Sequence, residues 1–355
     1  MRIGVPKEIK PREGPVALIP AACADLVRAG HEVFIEAGSG LQSGFSDASY
    51  VAFGAVVQPD AERLYAAADL IVKVKEPIAD DLRWLGARHT LFCYLHLAAN
   101  RVLTEQLLAI GLTAIAFETV EHQGGLPLLA PMSDIAGRLA VQIGAHLLHQ
   151  PQGGKGLLLG GLAGVERGKV TVIGAGKAGS SAAAMAASVG AEVKVFDKSQ
   201  ERLEAMRALA PNITALYPYV DALDQAIQEA DLLIGAVLIP GAKAIHVVSA
   251  AQVRKMTPGS VIVDVSVDQG GCIETTRPTS YTDPTFSVDG VVHFCVTNMP
   301  GAVPRSASHA LSTALLPYVR RLAGEADWHD DAALARGVNV EAGQLIHPAV
   351  RAAFA

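Results

Sequence analysis

Three polar residues interrupt apolar runs in a way that could support chemistry. Lys75 ends Val72-Lys-Val-Lys75, His96 ends Phe92-Cys-Tyr-Leu-His96, and Asp268 follows Val261-Ile-Val-Asp-Val-Ser-Val267. Each run reads as a strand of a buried parallel sheet, which puts the polar residue at or just past the C-terminal end, where open α/β sheets place ligands. A lysine there can hold a carboxylate or carbonyl oxygen. A histidine titrates near neutrality and can move protons, and an aspartate can orient water or stabilise a cation. Taken singly, each also has a plain structural reading: a solvated strand-end lysine, a hydrogen-bonded rim histidine and a turn-forming aspartate before Gly270-Gly271.

The strongest local signal is Val170-Thr-Val-Ile-Gly174-Ala-Gly176-Lys-Ala-Gly179. Its glycines follow an apolar strand and open an Ala-rich helix, so they can make the tight turn, admit a pyrophosphate and pack helix on strand. The next strand, Glu192-Val-Lys-Val-Phe196, ends at Asp197. An acid about 20 residues on can bind a ribose 2′-hydroxyl and repel a 2′-phosphate, which favours NAD over NADP. The similar Gly160-Gly-Leu-Ala-Gly164 lacks that strand-to-acid arrangement and reads as a linker turn.

The elements needed to position these residues follow a β/α alternation, giving an α/β fold of two doubly wound domains with mainly parallel sheets. In the first third, strands are expected at 2–6, 31–36, 69–75, 90–95 and 112–117, with helices at 20–30 and 102–108. A long helix is expected from Pro131 to His149, with Ser133 and Asp134 as its N-cap signal. A second series has strands at 169–173, 192–196, 232–235, 261–265 and 291–296. A final helix, from about Ser306 to Leu322, is expected to return to the first domain. The Gly-rich stretch 153–164 and the segment Asn298–Pro304 are expected hinges.

Composition agrees with this and excludes other classes. The chain has 355 residues, and at roughly 150 per domain this suggests two domains. With 50% hydrophobic and 18% charged residues it is not a disordered chain. A net charge of -6 without Lys/Arg blocks lacks the footprint of a nucleic-acid binder. The longest nearly uninterrupted apolar stretch, near 107–117, is short of the ~20 residues of a membrane span. No secretory signal is visible at Met1, so a cytoplasmic protein is expected. Cys23, Cys93, Cys272 and Cys295 are scattered, which suggests neither a disulfide framework nor a metal cluster.

Several blocks together resemble bacterial alanine dehydrogenases, over essentially the whole chain: Met1-Arg-Ile-Gly-Val-Pro-Lys-Glu8, Val72-Lys-Val-Lys-Glu-Pro77, Tyr94-Leu-His-Leu97, Leu128-Leu-Ala-Pro-Met-Ser133, Gly235-Ala-Val-Leu-Ile-Pro-Gly-Ala-Lys243, Val263-Asp-Val-Ser-Val-Asp-Gln-Gly-Gly-Cys272 and Val296-Thr-Asn-Met-Pro-Gly301. The wider group includes the soluble NAD-binding part of transhydrogenases and opine-type reductases. The resemblance implies a homo-oligomer, usually a hexamer. Its discontinuous substrate domain would span 1–130 and 306–355, and its Rossmann NAD domain 131–305. His96 and Asp268 would be catalytic, and Lys75 would bind a small amino acid or 2-oxo acid. Cofactor contacts would fall to Ser133, Gly174, Ala175, Gly176, Lys177, Ala178, Gly179, Asp197, Val237, Leu238, Val265, Val267, Asn298 and Met299. One departure stands out: Pro15 occupies the position of a family arginine that clamps the substrate carboxylate, and Arg12, three residues earlier, is the candidate replacement. The implied reaction is NAD-dependent deamination of L-alanine. The alternatives are an opine-type reductive condensation and a non-catalytic NAD-binding module.

Overall fold

The computed structural model describes residues 1–10, 13–237, 246–324 and 326–354, so Arg12 and Leu238 of the expected site lie outside the described residues. The chain separates into two compact units, Met1–Met132 with Gly301–Ala355, and Ser133–Pro300.

In the first unit, strands β1 (Arg2–Val5), β2 (Glu32–Glu36), β3 (Val56–Gln58), β4 (Leu70–Val72), β5 (Thr90–Cys93) and β6 (Thr113–Ala116) pair in parallel in the order β6-β5-β4-β1-β2-β3. Alternate side chains go to opposite faces. Ile3, Val33, Leu70, Val72 and Phe92 join one core with the Pro20–Arg28 helix, whereas Ile71, Leu91 and Cys93 join another with Leu103 and Leu107 of the Arg101–Ile110 helix. With both faces covered, every residue of β4 is apolar and buried. The Arg101–Ile110 helix starts where Asn100 accepts the Leu103 N–H and stops at Gly111, whose φ of 78° suits glycine.

The second unit contributes β7 (Lys169–Ile173), β8 (Glu192–Phe196), β9 (Ile213–Leu216), β10 (Leu232–Gly235), β11 (Val261–Asp264), β12 (Thr285–Val288) and β13 (Val291–Phe294), in the order β12-β13-β11-β10-β7-β8-β9. Among the described strands of this sheet only β12 is antiparallel. Strand order reverses between β7 and β10, which opens a crevice at their C-terminal ends. The long helix, Ala130–Leu147, lies close to this sheet because of two glycines on one face. A Cβ at Gly137 would stand 2.1 Å from the Ala178 carbonyl oxygen, and one at Gly144 would stand 2.5 Å from Leu232.

After Pro300 the chain returns to the first sheet. The Pro304–Ala323 helix buries Leu311, Leu315, Val319 and Leu322 in the core beneath β1 and β4. Strand β14 (Val338–Glu341) then pairs antiparallel with β6, and β15 (Gln344–Leu345) pairs with β14. Only a helical tail is expected from sequence, because four residues interrupted by Asn339 carry little strand signal. Pairing decides it, and Asn339 is bonded to the Thr119 hydroxyl and the Gly337 carbonyl.

Strands β5 and β13 stop at Cys93 and Phe294 rather than at Leu95 and Val296, and two further expectations change near the site. β4 ends at Val72 rather than continuing to Lys75, although Lys73 N–H still bonds the Phe92 carbonyl and the Val74 carbonyl still accepts from Tyr94. Ser133 does not cap the long helix. That helix begins at Ala130, out of a turn closed by Leu129 and Ala130 N–H groups on the Leu126 carbonyl, and Pro131 fits its first turn because no N–H partner is needed there. The Gly160–Gly164 stretch is a tight turn bridged at Leu162 and Val165.

Candidate active site

At the C-terminal ends of β4 and β5 the first unit gathers Lys75 and His96 around one aromatic ring. The Lys75 Nζ lies 5.7 Å from the Tyr94 ring centroid, and the His96 ring stacks on Tyr94 at 6.0 Å with an interplanar angle of 8°. An ammonium over an aromatic face is attracted by the ring quadrupole, so the ring orients Lys75 without neutralising it. Tyr94 is itself buried and fixed, its hydroxyl donating to the Leu128 carbonyl at 2.6 Å. Burial pushes this phenol's proton affinity up, so it stays a neutral platform. His96 is exposed and adopts φ 51°, ψ 36°. Its N–H donates to Glu118 Oε1 at 2.6 Å, and the neighbouring Leu95 N–H donates to the same carboxylate at 3.2 Å.

In the second unit the glycine loop joins β7 to the Lys177–Ser188 helix. Gly174 has φ 97°, and a Cβ on it would stand 2.6 Å from the Ala236 carbonyl oxygen; one on Gly179 would stand 1.7 Å from the Gly174 oxygen. Gly176 differs: no atom lies within 4 Å of its would-be Cβ. It caps the helix with no side-chain hydrogen bond, so the cap offers no side-chain acceptor to the first N–H groups at the positive end of the helix dipole. The Asp197 carboxylate at the end of β8 accepts Ala175 N–H at 2.7 Å and Ser199 N–H at 2.8 Å, with Arg202 at 3.7 Å. Glycine loop, open helix start and acid therefore form one connected cradle, and this donor and acceptor set fits a dinucleotide.

Asp268 sits exposed on a one-turn 3-10 segment, Val267–Gln269, where its carboxylate accepts Asn298 N–H at 3.3 Å. The loop carrying it is closed by Asp264, fully buried at the end of β11. That carboxylate accepts Ser266 N–H at 2.9 Å, Cys272 N–H at 3.0 Å and the Thr276 hydroxyl at 2.8 Å. Burial holds the Asp264 pKa above the usual carboxylate value against these three donors. Val267 and Met299 are buried, Val265 N–H bonds the Gly235 carbonyl, and Val237 borders Gly174. Exposed Lys177 reaches Asp134 at 3.4 Å, and Ser133 lies in the first turn of the long helix. Ala178, intermediate in burial, has its carbonyl against Gly137.

Pro15 is buried in a segment pinned on both sides. The Ser43 hydroxyl donates to the Gly14 carbonyl at 2.9 Å, and Val16 N–H donates to Ser308 Oγ at 2.8 Å. Glu8, Tyr94, Glu118 and Asp264 have no role that follows from sequence alone. Glu118 and Asp264 carried the same signal as His96, a polar residue closing an apolar strand, and Tyr94 and Glu8 carried none.

Fold and loop geometry define the class: an α/β protein whose second unit has the Rossmann strand order and glycine turn. The chain belongs to the alanine dehydrogenase/PNT family, whose N-terminal domain model matches residues 4–136 and whose C-terminal domain model matches 140–348. It is 51% identical to the alanine dehydrogenase of Halomonas elongata, over 100% of this chain and 97% of the relative. It is 47% identical to that of Mycolicibacterium smegmatis, over 99% and 96%. Among solved structures, an L-alanine dehydrogenase superposes with a TM-score of 0.96 at 52% identity, covering 100% of this chain and 99% of the other. A transhydrogenase from Sinorhizobium meliloti superposes with a TM-score of 0.85 at 26% identity, covering 98% and 100%. Among the described residues no helix is long and apolar enough to cross a membrane.

Proposed function

We propose that this chain catalyses the NAD-dependent oxidative deamination of L-alanine to pyruvate and ammonia, and the reverse reductive amination. The observation that carries the reading is the packing of Lys75 and His96 on one buried tyrosine, in a chain about half identical to alanine dehydrogenases over its full length. NAD, when bound, supplies the hydride acceptor or donor. Gly174 to Gly179 and the start of the Lys177–Ser188 helix hold its pyrophosphate, and Asp197 holds the adenine-side ribose and disfavours a 2′-phosphate. Ser133, Val237, Val265, Val267, Asn298 and Met299 line the same ligand.

Lys75 binds the carboxylate or carbonyl oxygen and stabilises charge that builds there. His96 exchanges the proton gained or lost by the substrate oxygen as water adds and the carbon–nitrogen bond breaks. Asp268, anchored by the Asn298 amide, orients that water and stabilises cationic nitrogen-bearing carbon. With Pro15 in place of a clamp, Lys75 carries more of the carboxylate binding. The same substitution favours, as a second reading, a larger co-substrate and an opine-type condensation.

Mixing the protein with NAD+ and L-alanine at alkaline pH is expected to produce NADH, and His96→Ala and Asp268→Asn to abolish it. Activity surviving both changes overturns the mechanism. A panel of amino and 2-oxo acids, run beside Pro15→Arg with product masses, separates deamination from condensation.

A homo-oligomer, a hexamer by family resemblance, is in keeping with exposed apolar Leu158 and Val189 lining a groove of about 450 Å³ in the second unit. Sedimentation measures it. Four buried free thiols, with Cys23, Cys272 and Cys295 pushed up to about 12 by burial, fit a cytoplasmic, reducing location.

A further inference from the structure

We propose that Glu8 is a positioning residue for Lys75: its carboxylate grips the backbone that presents Lys75 to substrate, and the buried Lys73 ammonium fixes Glu8 in that grip. The inference rests on the substrate-binding role proposed for Lys75.

Lys73 is 1% exposed, although its neighbour two residues on reaches the strand-end edge. Its Nζ lies 3.0 Å from Glu8 Oε2 and 3.3 Å from Asp81 Oδ2. Burial by itself lowers this amine's proton affinity, but the two carboxylates outweigh it and hold the pKa above the ordinary lysine value. Asp81 is occupied elsewhere as well, accepting the Tyr65 hydroxyl at 3.0 Å and Ile78 N–H at 3.2 Å. Glu8 also faces the backbone: Oε1 accepts Val74 N–H at 2.6 Å, and Oε2, shared with Lys73, accepts Lys75 N–H at a longer 3.4 Å.

Val74 is thereby held from both directions, since its carbonyl accepts Tyr94 N–H at 3.0 Å. Lys75 is the next residue and lays its ammonium over that tyrosine's ring. The two groups that fix Val74 therefore fix where Lys75 starts and where it ends. Two carboxylates and one ammonium are a poor choice for filling core volume, because desolvating them generally costs more than an apolar trio of the same size. They suit a point where the strand ladder has ended, two N–H groups would be orphaned, and a side chain must be aimed.

The test is a double-mutant cycle. Pyruvate KM, kcat and the NADH dissociation constant are measured for the full-length protein, Glu8→Gln, Lys75→Gln and the double variant. Glu8→Gln leaves the Lys73–Asp81 pair intact and presents one amide N–H₂ where two donors need an acceptor. We expect the pyruvate KM to rise about tenfold, about 1.4 kcal/mol of lost binding, with the NADH constant unchanged within about twofold. On the Lys75→Gln background the same change should cost less than about twofold. Glu8→Asp keeps the charge but withdraws the oxygens by one methylene; it is expected to give the same pattern and serves if Glu8→Gln does not fold. An equal loss in both backgrounds, or an unchanged KM in Glu8→Gln, overturns the proposal and leaves the role of Lys75 standing. An unaltered Lys75→Gln enzyme overturns that role, and the proposal with it.

Discussion

The Glu118 carboxylate accepts the backbone N–H of His96 at 2.6 Å, and the residue it holds lies in the left-handed region at φ 51°. A non-glycine residue there carries strain on the order of 1–3 kcal/mol and persists only when its surroundings over-determine it. The Glu118 bond and the Tyr94 stack supply that constraint.

Removing the bond should therefore let His96 relax away from its working position. Glu118→Ala is expected to lower kcat by roughly ten- to a hundredfold, one to two tenfold steps of lost transition-state stabilisation, with NADH affinity unchanged. Glu118→Gln, which keeps one acceptor, should recover part of it. Steady-state kinetics beside NADH titration measure both; an unchanged kcat in Glu118→Ala would show that His96 does not depend on this contact.

Two glycines of the loop should respond differently to the same methyl group. Gly179→Ala drives its Cβ into the Gly174 carbonyl, so both melting temperature and NADH binding should fall. Gly176→Ala meets empty space, so the fold should be nearly as stable while NADH binding weakens about tenfold or more, because the methyl occupies the room the pyrophosphate needs. Thermal melts paired with NADH fluorescence titrations give the comparison. Equal NADH affinity in Gly176→Ala and the parent protein would remove this loop from the cofactor site.

Two aspartates four residues apart should separate stability from chemistry. Asp264→Asn leaves buried donors from Ser266, Cys272 or Thr276 unsatisfied, at about 1–3 kcal/mol for each lost partner, and the melting temperature should drop. Asp268 is exposed and accepts the Asn298 N–H at 3.3 Å, so Asp268→Asn should melt like the parent while losing turnover. Chemical denaturation with matched activity assays tests the contrast.

Acid should destabilise the protein through two buried histidines. His89 accepts Gly86 N–H at Nδ1, 2.9 Å, and faces the Tyr65 carbonyl at Nε2, 3.0 Å, an arrangement that a neutral ring alone can satisfy. His293 is fully buried between the Val291 carbonyl and the Thr275 hydroxyl. Burial lowers both pKa values below the usual histidine range. The unfolded chain then binds protons more readily, so their contribution to stability is complete above about pH 6.5 and is lost as pH falls through the lower folded values. Melting temperatures between pH 7.5 and 5.5 should fall, and His89→Gln, which preserves one donor and one acceptor, should shrink that fall. An identical pH dependence in the variant would place the acid sensitivity elsewhere.

Much of this molecule was written locally. Strands β7, β8 and β10 end where their apolar runs end, and the glycine spacing before an Ala-rich helix specifies a turn that no residue with a Cβ could make at Gly179. A histidine or lysine closing such a run announces itself by chemical type. Period, composition and steric exclusion act over a few residues, so they are legible one segment at a time. What only the folded chain decided are the partners: Glu8 beneath Val74, Glu118 beneath His96, and Tyr94 between Lys75 and His96. The strand β14, too short to declare itself, exists because β6 offers it an unpaired edge. Carboxylates 22 and 66 residues from the amides they hold carry no mark of that pairing in sequence, because a hydrogen bond is specific to distance in space and indifferent to distance along the chain.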